Sequence, residues 1–365
     1  MNIAADKVRP IGVLVTDDSA FMRTAITRMI ESDPGLKVIG SAQTGQEALE
    51  KTAQLKPDVV TLDIEMPGMN GLETLRRIMK ECPTPVLMVS SLTQEGAEVT
   101  LEALNIGAFD YVPKQSSFVS LDIVKIRDDL VAKVRAAAES RKRRPVVPVS
   151  QSNVPPTGPR LLPTVVPTIV ALGTSTGGPK ALQEILPMFP ADLSVPVLIV
   201  QHMPPGFTGP FAHRLDGLSK INVREAIQEE EIQPGTVYIA PAGQHMTVYR
   251  RGASKAAVRL SRHPDDLLHI PSVDVMMTSV GEVFRALTMG VILTGMGADG
   301  AKGMQIIKRE GGFNLGQDEA SCTVYGMPRS AAEAGVLHRV APLHQIPELI
   351  MTATRYHPRK QSASV

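Results

Sequence analysis

The chain has 365 residues, 43% of them hydrophobic and 21% charged, with a formal net charge of +1. That length exceeds one ordinary core and suits two domains, while the near-zero charge leaves no global electrostatic case for nucleic acid or a membrane surface as the main partner. Two cysteines (Cys82 and Cys322), a polar residue 1–10 segment and no apolar run near the roughly 20 residues that span a bilayer predict a cytoplasmic chain without disulfides, signal peptide or membrane insertion.

From the N-terminus, apolar runs over residues 11–16, 37–42, 59–62, 86–90 and 109–112 predict strands. Apolar residues at helical spacing over 20–30, 46–55, 72–81, 96–105 and 121–138 predict helices between and after them. Strands separated by helices of this size make right-handed βαβ units, so this half is expected to be α/β with a doubly wound, flavodoxin-like parallel sheet. Over 135–167 the pattern breaks. The basic cluster Arg141-Lys142-Arg143-Arg144 precedes a stretch dense in Pro, Val, Ser and Gly, where repeated prolines remove amide donors and forbid helix. The cluster itself is expected to be a solvated helix end, where cations meet the C-terminal dipole, rather than a nucleic-acid or lipid patch.

Alternation resumes with a strand over 168–174, a helix over 180–188, a strand over 197–201 and a helix over 207–218. The section 222–260 carries short β-rich runs, and the turn residues Pro234-Gly235 and Pro241-Ala242-Gly243 suggest hairpins. Helix 275–286, strand 291–293, helix 301–309 and strand 313–316 then return to α/β. The expected organisation is a first domain over 10–130, a helix end and proline-rich linker over 131–166, and a second α/β domain over 167–356. That second domain is expected to hold a mostly parallel sheet with a β-hairpin insertion. No internal repeat links the halves.

In the first half, strand one runs into Asp17-Asp18 and strand three into Asp63. The carboxyl ends of neighbouring strands in a doubly wound sheet open on one crevice. Carboxylates meeting there repel unless a hard cation neutralises them, and oxygen ligands suit Mg²⁺, or Mn²⁺. Ser90-Ser91 at the end of strand four offers a hydroxyl and Lys114 after strand five a cation, which together predict a phosphoryl-acceptor site. Asp and Ser also end strands as turn formers or caps, and Ser19 is expected to cap the first helix. The run Val15-Thr16-Asp17-Asp18-Ser19, the run Asp63-Ile64-Glu65-Met66-Pro67-Gly68-Met69-Asn70-Gly71, and the spaced Ser90 and Lys114 resemble the receiver domain of bacterial response regulators over about 11–130. The resemblance implies that Asp63 is phosphorylated, that Asp17 and Asp18 help Asp63 hold Mg²⁺, and that Lys114 pairs with the phosphoryl group. It makes Ser90 the switch hydroxyl and Tyr111 the aromatic switch. Asn70 stands where that family often has Asp, which alters a loop cap. Gln115 stands where it usually has Pro, which puts the cis peptide after Lys114 in question.

In the second half, residues 169–179 form a strand, a Gly-rich turn and a helix start containing G-x-S-x-G as Gly173, Ser175 and Gly177. Such a turn exposes the hydroxyl, and the helix start offers free amides to an oxyanion. Short Gly/Ser turns also occur without catalysis. His202 follows the next strand and Asp299 lies in a further strand–Gly turn–helix segment, so the three are expected to face one crevice as nucleophile, base and orienting carboxylate. Asp299 has a plainer alternative as the N-cap of the helix that follows. The order Ser, His, Asp differs from the α/β-hydrolase order, which predicts another fold reaching a similar triad.

These segments, with Gln201-His202-Met203-Pro204, Ile239-Ala240-Pro241-Ala242-Gly243, Pro271-Ser272-Val273-Asp274, Thr294-Gly295-Met296-Gly297-Ala298-Asp299-Gly300 and Tyr325-Gly326-Met327-Pro328, resemble the catalytic domain of the chemotaxis protein-glutamate methylesterases over about 168–354. The resemblance implies hydrolysis of glutamate methyl esters on methyl-accepting chemotaxis receptors, with deamidation of receptor glutamines, and an oxyanion region near Thr176 and Met296. It implies a chemotaxis histidine kinase as phosphodonor and no cofactor for the esterase chemistry. An unphosphorylated receiver is expected to hinder Ser175. The alternative is a phosphorylation-dependent regulator whose C-terminal half is a non-catalytic binding module; no helix-turn-helix or basic reading helix favours DNA binding. His213, His245, His263 and His269 lack partners at metal-ligand spacing, and Cys322 has no evident base.

Overall fold

The computed structural model describes residues 9–91, 93–114, 122–142, 162–252 and 255–356. They divide into two units, 1–149 and 150–365, each with its own sheet. The proline-rich stretch over 143–161 and the peptide between Lys114 and Gln115 lie outside the described residues.

The first unit alternates β1 (Ile11–Thr16), α1 (Ala20–Glu31), β2 (Leu36–Ala42), α2 (Gly45–Leu55), β3 (Val59–Asp63), α3 (Gly71–Glu81), β4 (Val86–Ser90), α4 (Gln94–Ile106), β5 (Asp110–Pro113) and α5 (Asp122–Lys142). Its strands are all parallel in the order β2-β1-β3-β4-β5, the doubly wound arrangement expected. Buried Val13, Val15, Val59, Leu87, Val89 and Val112 supply one sheet face, covered by Ile26 and Ile30 of α1 and Leu130, Val134 and Ala137 of α5. This core therefore extends past the limit expected at 130. Short polar side chains start the helices: the oxygens of Ser19, Thr44, Asn70 and Thr93 each accept from an amide in the first turn of α1, α2, α3 and α4.

The second unit runs β6 (Ile169–Thr174), α6 (Gly178–Ile185), β7 (Val197–Gln201), α7 (Thr208–Leu218), β8 (Asn222–Glu225), β9 (Thr236–Ile239), β10 (His245–Arg251) and β11 (Lys255–Ser261). It continues with α8 (Val273–Phe284), β12 (Thr288–Ile292), α9 (Ala301–Arg309), β13 (Phe313–Gln317), α10 (Met327–Glu333), β14 (Arg339–Ala341) and α11 (Ile346–Ala353). The seven-stranded sheet has the order β14-β13-β12-β6-β7-β9-β8, with every pairing parallel. From β6 the chain builds outward through β7, then returns to β12 on the other side of β6. The strand order reverses there, at the carboxyl ends of β6 and β12, the place where open parallel sheets bind ligands.

The hairpins expected at Pro234-Gly235 and Pro241-Ala242-Gly243 do not form. Strand β8 pairs with β9 in parallel, because the segment joining them leaves the sheet and bonds to β11 through Glu229 N to Val258 O and Ile232 N to Ala256 O. The antiparallel hairpin is β10–β11, a separate two-stranded ribbon turning beyond Arg251. Elements α10, β14 and α11 were not anticipated. Among the described residues no helix is long and apolar enough to cross a membrane.

Candidate functional site

Two groups of side chains gather at strand ends, one in each unit. In the first, Asp17 follows β1 and Asp63 closes β3; both are buried, while Asp18 is exposed. Ligand oxygens of the three lie within 4.8 Å of one another. Lys114 Nζ stands 3.0 Å from Asp17 Oδ2 and 2.6 Å from Asp63 Oδ2, an ion pair that supplies charge without a well-directed hydrogen bond to either oxygen. Two buried carboxylate oxygens without a directed donor, beside an exposed third carboxylate, form a hard oxygen set that fits Mg²⁺. Burial pushes Asp63 up to about 6, against the pull of the Lys114 ammonium, and the charge of Asp17 pushes the same way as burial.

Ser90 and Tyr111 have other partners. The Ser90 hydroxyl is fully buried, accepts from Thr100 Oγ1 at 2.7 Å and reaches Gly96 O at 3.3 Å, so it is engaged with α4. The Tyr111 ring is buried, with Lys133 Nζ 5.3 Å from its centroid and donating to the Tyr111 carbonyl at 2.8 Å. Asn70 caps α3 by accepting from Glu73 N at 2.9 Å.

In the second unit, β6 ends at Thr174 and the chain turns sharply at Ser175. Gly177 has φ +77°, left-handed backbone that a side chain resists, and Pro179 occupies the first turn of α6. The turn is tied down on both sides: Ser175 N donates to Thr294 O at 3.1 Å, and Gln201 Nε2 donates to Ser175 O at 3.0 Å. Thr294 Oγ1 donates to Thr176 O at 2.9 Å. Gly295 lets the loop after β12 approach this closely, since a Cβ there would meet Met327 Sδ at 2.2 Å and Ser175 Cβ at 2.9 Å. Ser175 is half-buried. Among the described residues, the amides of Thr176, Gly177 and Met296 donate to no backbone or side-chain acceptor, which leaves them open as hydrogen-bond donors.

His202 extends from β7, with its amide donating to Thr174 O at 3.2 Å. Its Nε2 lies 2.8 Å from Asp299 Oδ2. A carboxylate only accepts, so Nε2 carries the proton, and the buried Nδ1, which has no hydrogen-bond partner, is the lone-pair nitrogen. Burial alone would raise the Asp299 carboxyl; the hydrogen bond and charge of His202, with the amides of Asp274 and Val273, more than reverse this and hold it well below the usual carboxylate range. Asp299 Oδ1 accepts from Ser272 Oγ and from Asp274 N, both at 2.9 Å, and Oδ2 accepts from Val273 N at 2.8 Å. Asp299 thus faces the N-terminus of α8, not that of α9. The α9 amides of Gly300 and Gly303 go instead to Asp274 Oδ1, at 2.9 and 2.7 Å.

The structure therefore joins His202 to Asp299 directly and sets Ser175 on the neighbouring strand end. Sequence reasoning missed Ser272, Asp274, Thr294 and Gln201 as supports. The available signal was Ser272 as a capping serine three residues before Val275 and Gln201 beside the histidine.

Comparison with known proteins gives two family models: "CheB methylesterase" over residues 170–350 and "Response regulator receiver domain" over residues 13–123. The protein-glutamate methylesterase/protein-glutamine glutaminase 2 of Nitratidesulfovibrio vulgaris is 48% identical, covering 93% of this chain and 98% of that protein. The protein-glutamate methylesterase/protein-glutamine glutaminase of Pyrococcus horikoshii is 46% identical, covering 94% of each. Among solved structures, the Thermotoga maritima CheB methylesterase catalytic domain is 41% identical, with a TM-score of 0.50, over 52% of this chain and all of that one.

Proposed function

The chain belongs to the protein-glutamate methylesterase/protein-glutamine glutaminase family, and on that premise we propose that Ser175, His202 and Asp299 hydrolyse glutamate side-chain methyl esters under control of a phosphorylatable receiver. The observation that carries the reading is His202 itself, bound to Asp299 through Nε2 with Nδ1 left as the lone-pair nitrogen, on a strand end paired with the strand that leads into Ser175. Ser175 Oγ attacks the ester carbonyl carbon while its proton passes to Nδ1. The tetrahedral oxyanion lies against the amides near Thr176 and Met296. His202 then protonates the leaving methoxide, methanol departs, and water, deprotonated by the same nitrogen, cleaves the acyl-serine to the free glutamate carboxylate. A glutamine amide passes through the same intermediate and releases ammonia.

The substrate proteins are methyl-accepting chemotaxis receptors and the phosphodonor is a chemotaxis histidine kinase. Asp63 accepts the phosphoryl group, with Asp17, Asp18 and Asp63 as the Mg²⁺ ligands; the ion, when bound, offsets the carboxylate and phosphoryl charge. Lys114 pairs with the phosphoryl oxygens. Ser90 and Tyr111 report its presence, which for Ser90 requires the hydroxyl to leave α4. The receiver occupies about 10–130, with α5 running on to Lys142, and the esterase about 167–356. The deciding experiment is methanol release from methylated receptor membranes. Ser175→Ala is expected to abolish release while the protein stays folded, and a retained rate rejects the assignment.

A further inference from the structure

We propose that His269 is a positioning residue for the catalytic base, a flat wall that holds the His202 ring in the plane needed for proton transfer. The inference rests on the reading of His202 as the base. The two imidazoles stack face to face, with ring centroids 4.0 Å apart and planes 18° from parallel. Asp299 grips His202 at Nε2 alone, and Nδ1 has no hydrogen-bond partner. One hydrogen bond leaves the ring free to swing about the line from Nε2 to the carboxylate. Nδ1 lies off that line, so the swing moves the very atom that must meet the Ser175 proton. A second ring packed on the face opposes this motion without competing for Nδ1, which a hydrogen-bonding side chain would do.

The segment that carries His269 is itself anchored. It joins β11 to α8, and a fully buried imidazole on β10, His245, bridges its two ends. His245 Nδ1 accepts from Ser272 N at 3.0 Å. Its proton is therefore on Nε2, which lies 2.8 Å from the Pro264 carbonyl and donates to it. Between these anchors Gly243 N donates to Ile270 O at 3.0 Å, next to His269. Ser272, held at one end by His245, is also the residue whose hydroxyl donates to Asp299 Oδ1. One buried ring thus locates both supports of His202, the carboxylate at Nε2 and the wall at its face.

The test uses the full chain with its receiver phosphorylated. Wild type, His269→Ala, His269→Phe and His202→Ala are compared in the rate of Ser175 modification by a fluorophosphonate and in methanol release from methylated receptor membranes. His269→Ala is expected to slow both rates roughly 10- to 100-fold with KM little changed, the cost of a mis-set proton acceptor. His269→Phe, which restores a flat ring but no titrating nitrogen, is expected to recover most of the loss. A His269→Ala rate equal to wild type, or a His269→Phe rate as low as that of His269→Ala, overturns the proposal. The His202→Ala arm separates the two readings: undiminished fluorophosphonate modification there rejects His202 as the base, whatever the His269 variants do.

Discussion

Asp299 and Asp63 are both buried carboxylates at strand ends, yet their surroundings drive them in opposite directions. At Asp299 burial is outweighed by His202 and by the α8 amides, so the carboxyl sits below its ordinary range. Its stabilising contribution is present above the unfolded value of about 4 and is lost only as pH falls through the depressed folded value. Asp299→Asn places an amide donor where one of the oxygens accepts. The methanol-release rate is expected to fall about 10³- to 10⁴-fold, and stability by about 1–2 kcal/mol, measured by denaturant titration. At Asp63 burial wins, and the folded value is about 6. Between about pH 4 and 6 the folded state then holds a proton that the unfolded chain has released, so stability falls as pH rises through that window. Asp63→Asn removes the charge. It is expected to stabilise the receiver by about 2 kcal/mol at pH 7.5 and by little at pH 4, read as the receiver transition in calorimetry without Mg²⁺. An equal gain at both pH values would assign the effect to packing instead. It also follows that Mg²⁺ raises the melting temperature of wild type more than that of the variant.

At the scale of elements, the esterase site depends on α8 and α9 capping one another across the crevice. Asp299, just before α9, receives the first amides of α8, while Asp274, in the first turn of α8, receives the Gly300 and Gly303 amides of α9. The helices also pack closely, since a Cβ on Gly303 would meet Met277 Cβ at 2.6 Å. Asp274→Ala strips two amides of their acceptor and is expected to cost about 1–3 kcal/mol in chemical denaturation, with esterase activity falling as Asp299 shifts. Asp274→Asn keeps an acceptor oxygen and is expected to lose much less. This dependence was not visible in the sequence, because nothing local says which carboxylate caps which helix. The strand and helix alternation was legible to within a residue or two at most ends, since β1, β4, β7 and α9 each carry their own apolar period. The placement of Ser175, His202 and Asp299 after strands was legible for the same reason, since each of those strands is readable. The β8–β9 pairing was not, because Pro234-Gly235 signals a turn but not what the chain does before it, and the bonds to β11 are long-range. His245 and His269 gave no signal, since an anchor and a wall exist only after folding.

On the scale of the whole molecule, two parallel sheets each put their chemistry at the carboxyl ends of strands, and the cores beneath them share no residue. The His202–Asp299 pair, the caps of α8 and α9 and the anchored segment are tied together by residues within 174–327. On the proposed reading, phosphorylation of Asp63 would act on access to Ser175 or on the balance between conformers. Couplings of this kind are typically worth about 1–3 kcal/mol, or about 5- to 150-fold. Two outcomes follow if the unphosphorylated receiver obstructs. Removing residues 1–145 raises the basal rate of methanol release, and the shortened chain ignores a small phosphodonor. The full chain, supplied with the phosphodonor and Mg²⁺, rises within that range, whereas Asp63→Asn stays at the basal rate. A shortened chain no faster than the unphosphorylated full chain would reject obstruction and require the phosphorylated receiver to contribute positively, by ordering the esterase or by recruiting the receptor. Comparing KM with kcat then separates those routes, since recruitment lowers KM and ordering of the site raises kcat.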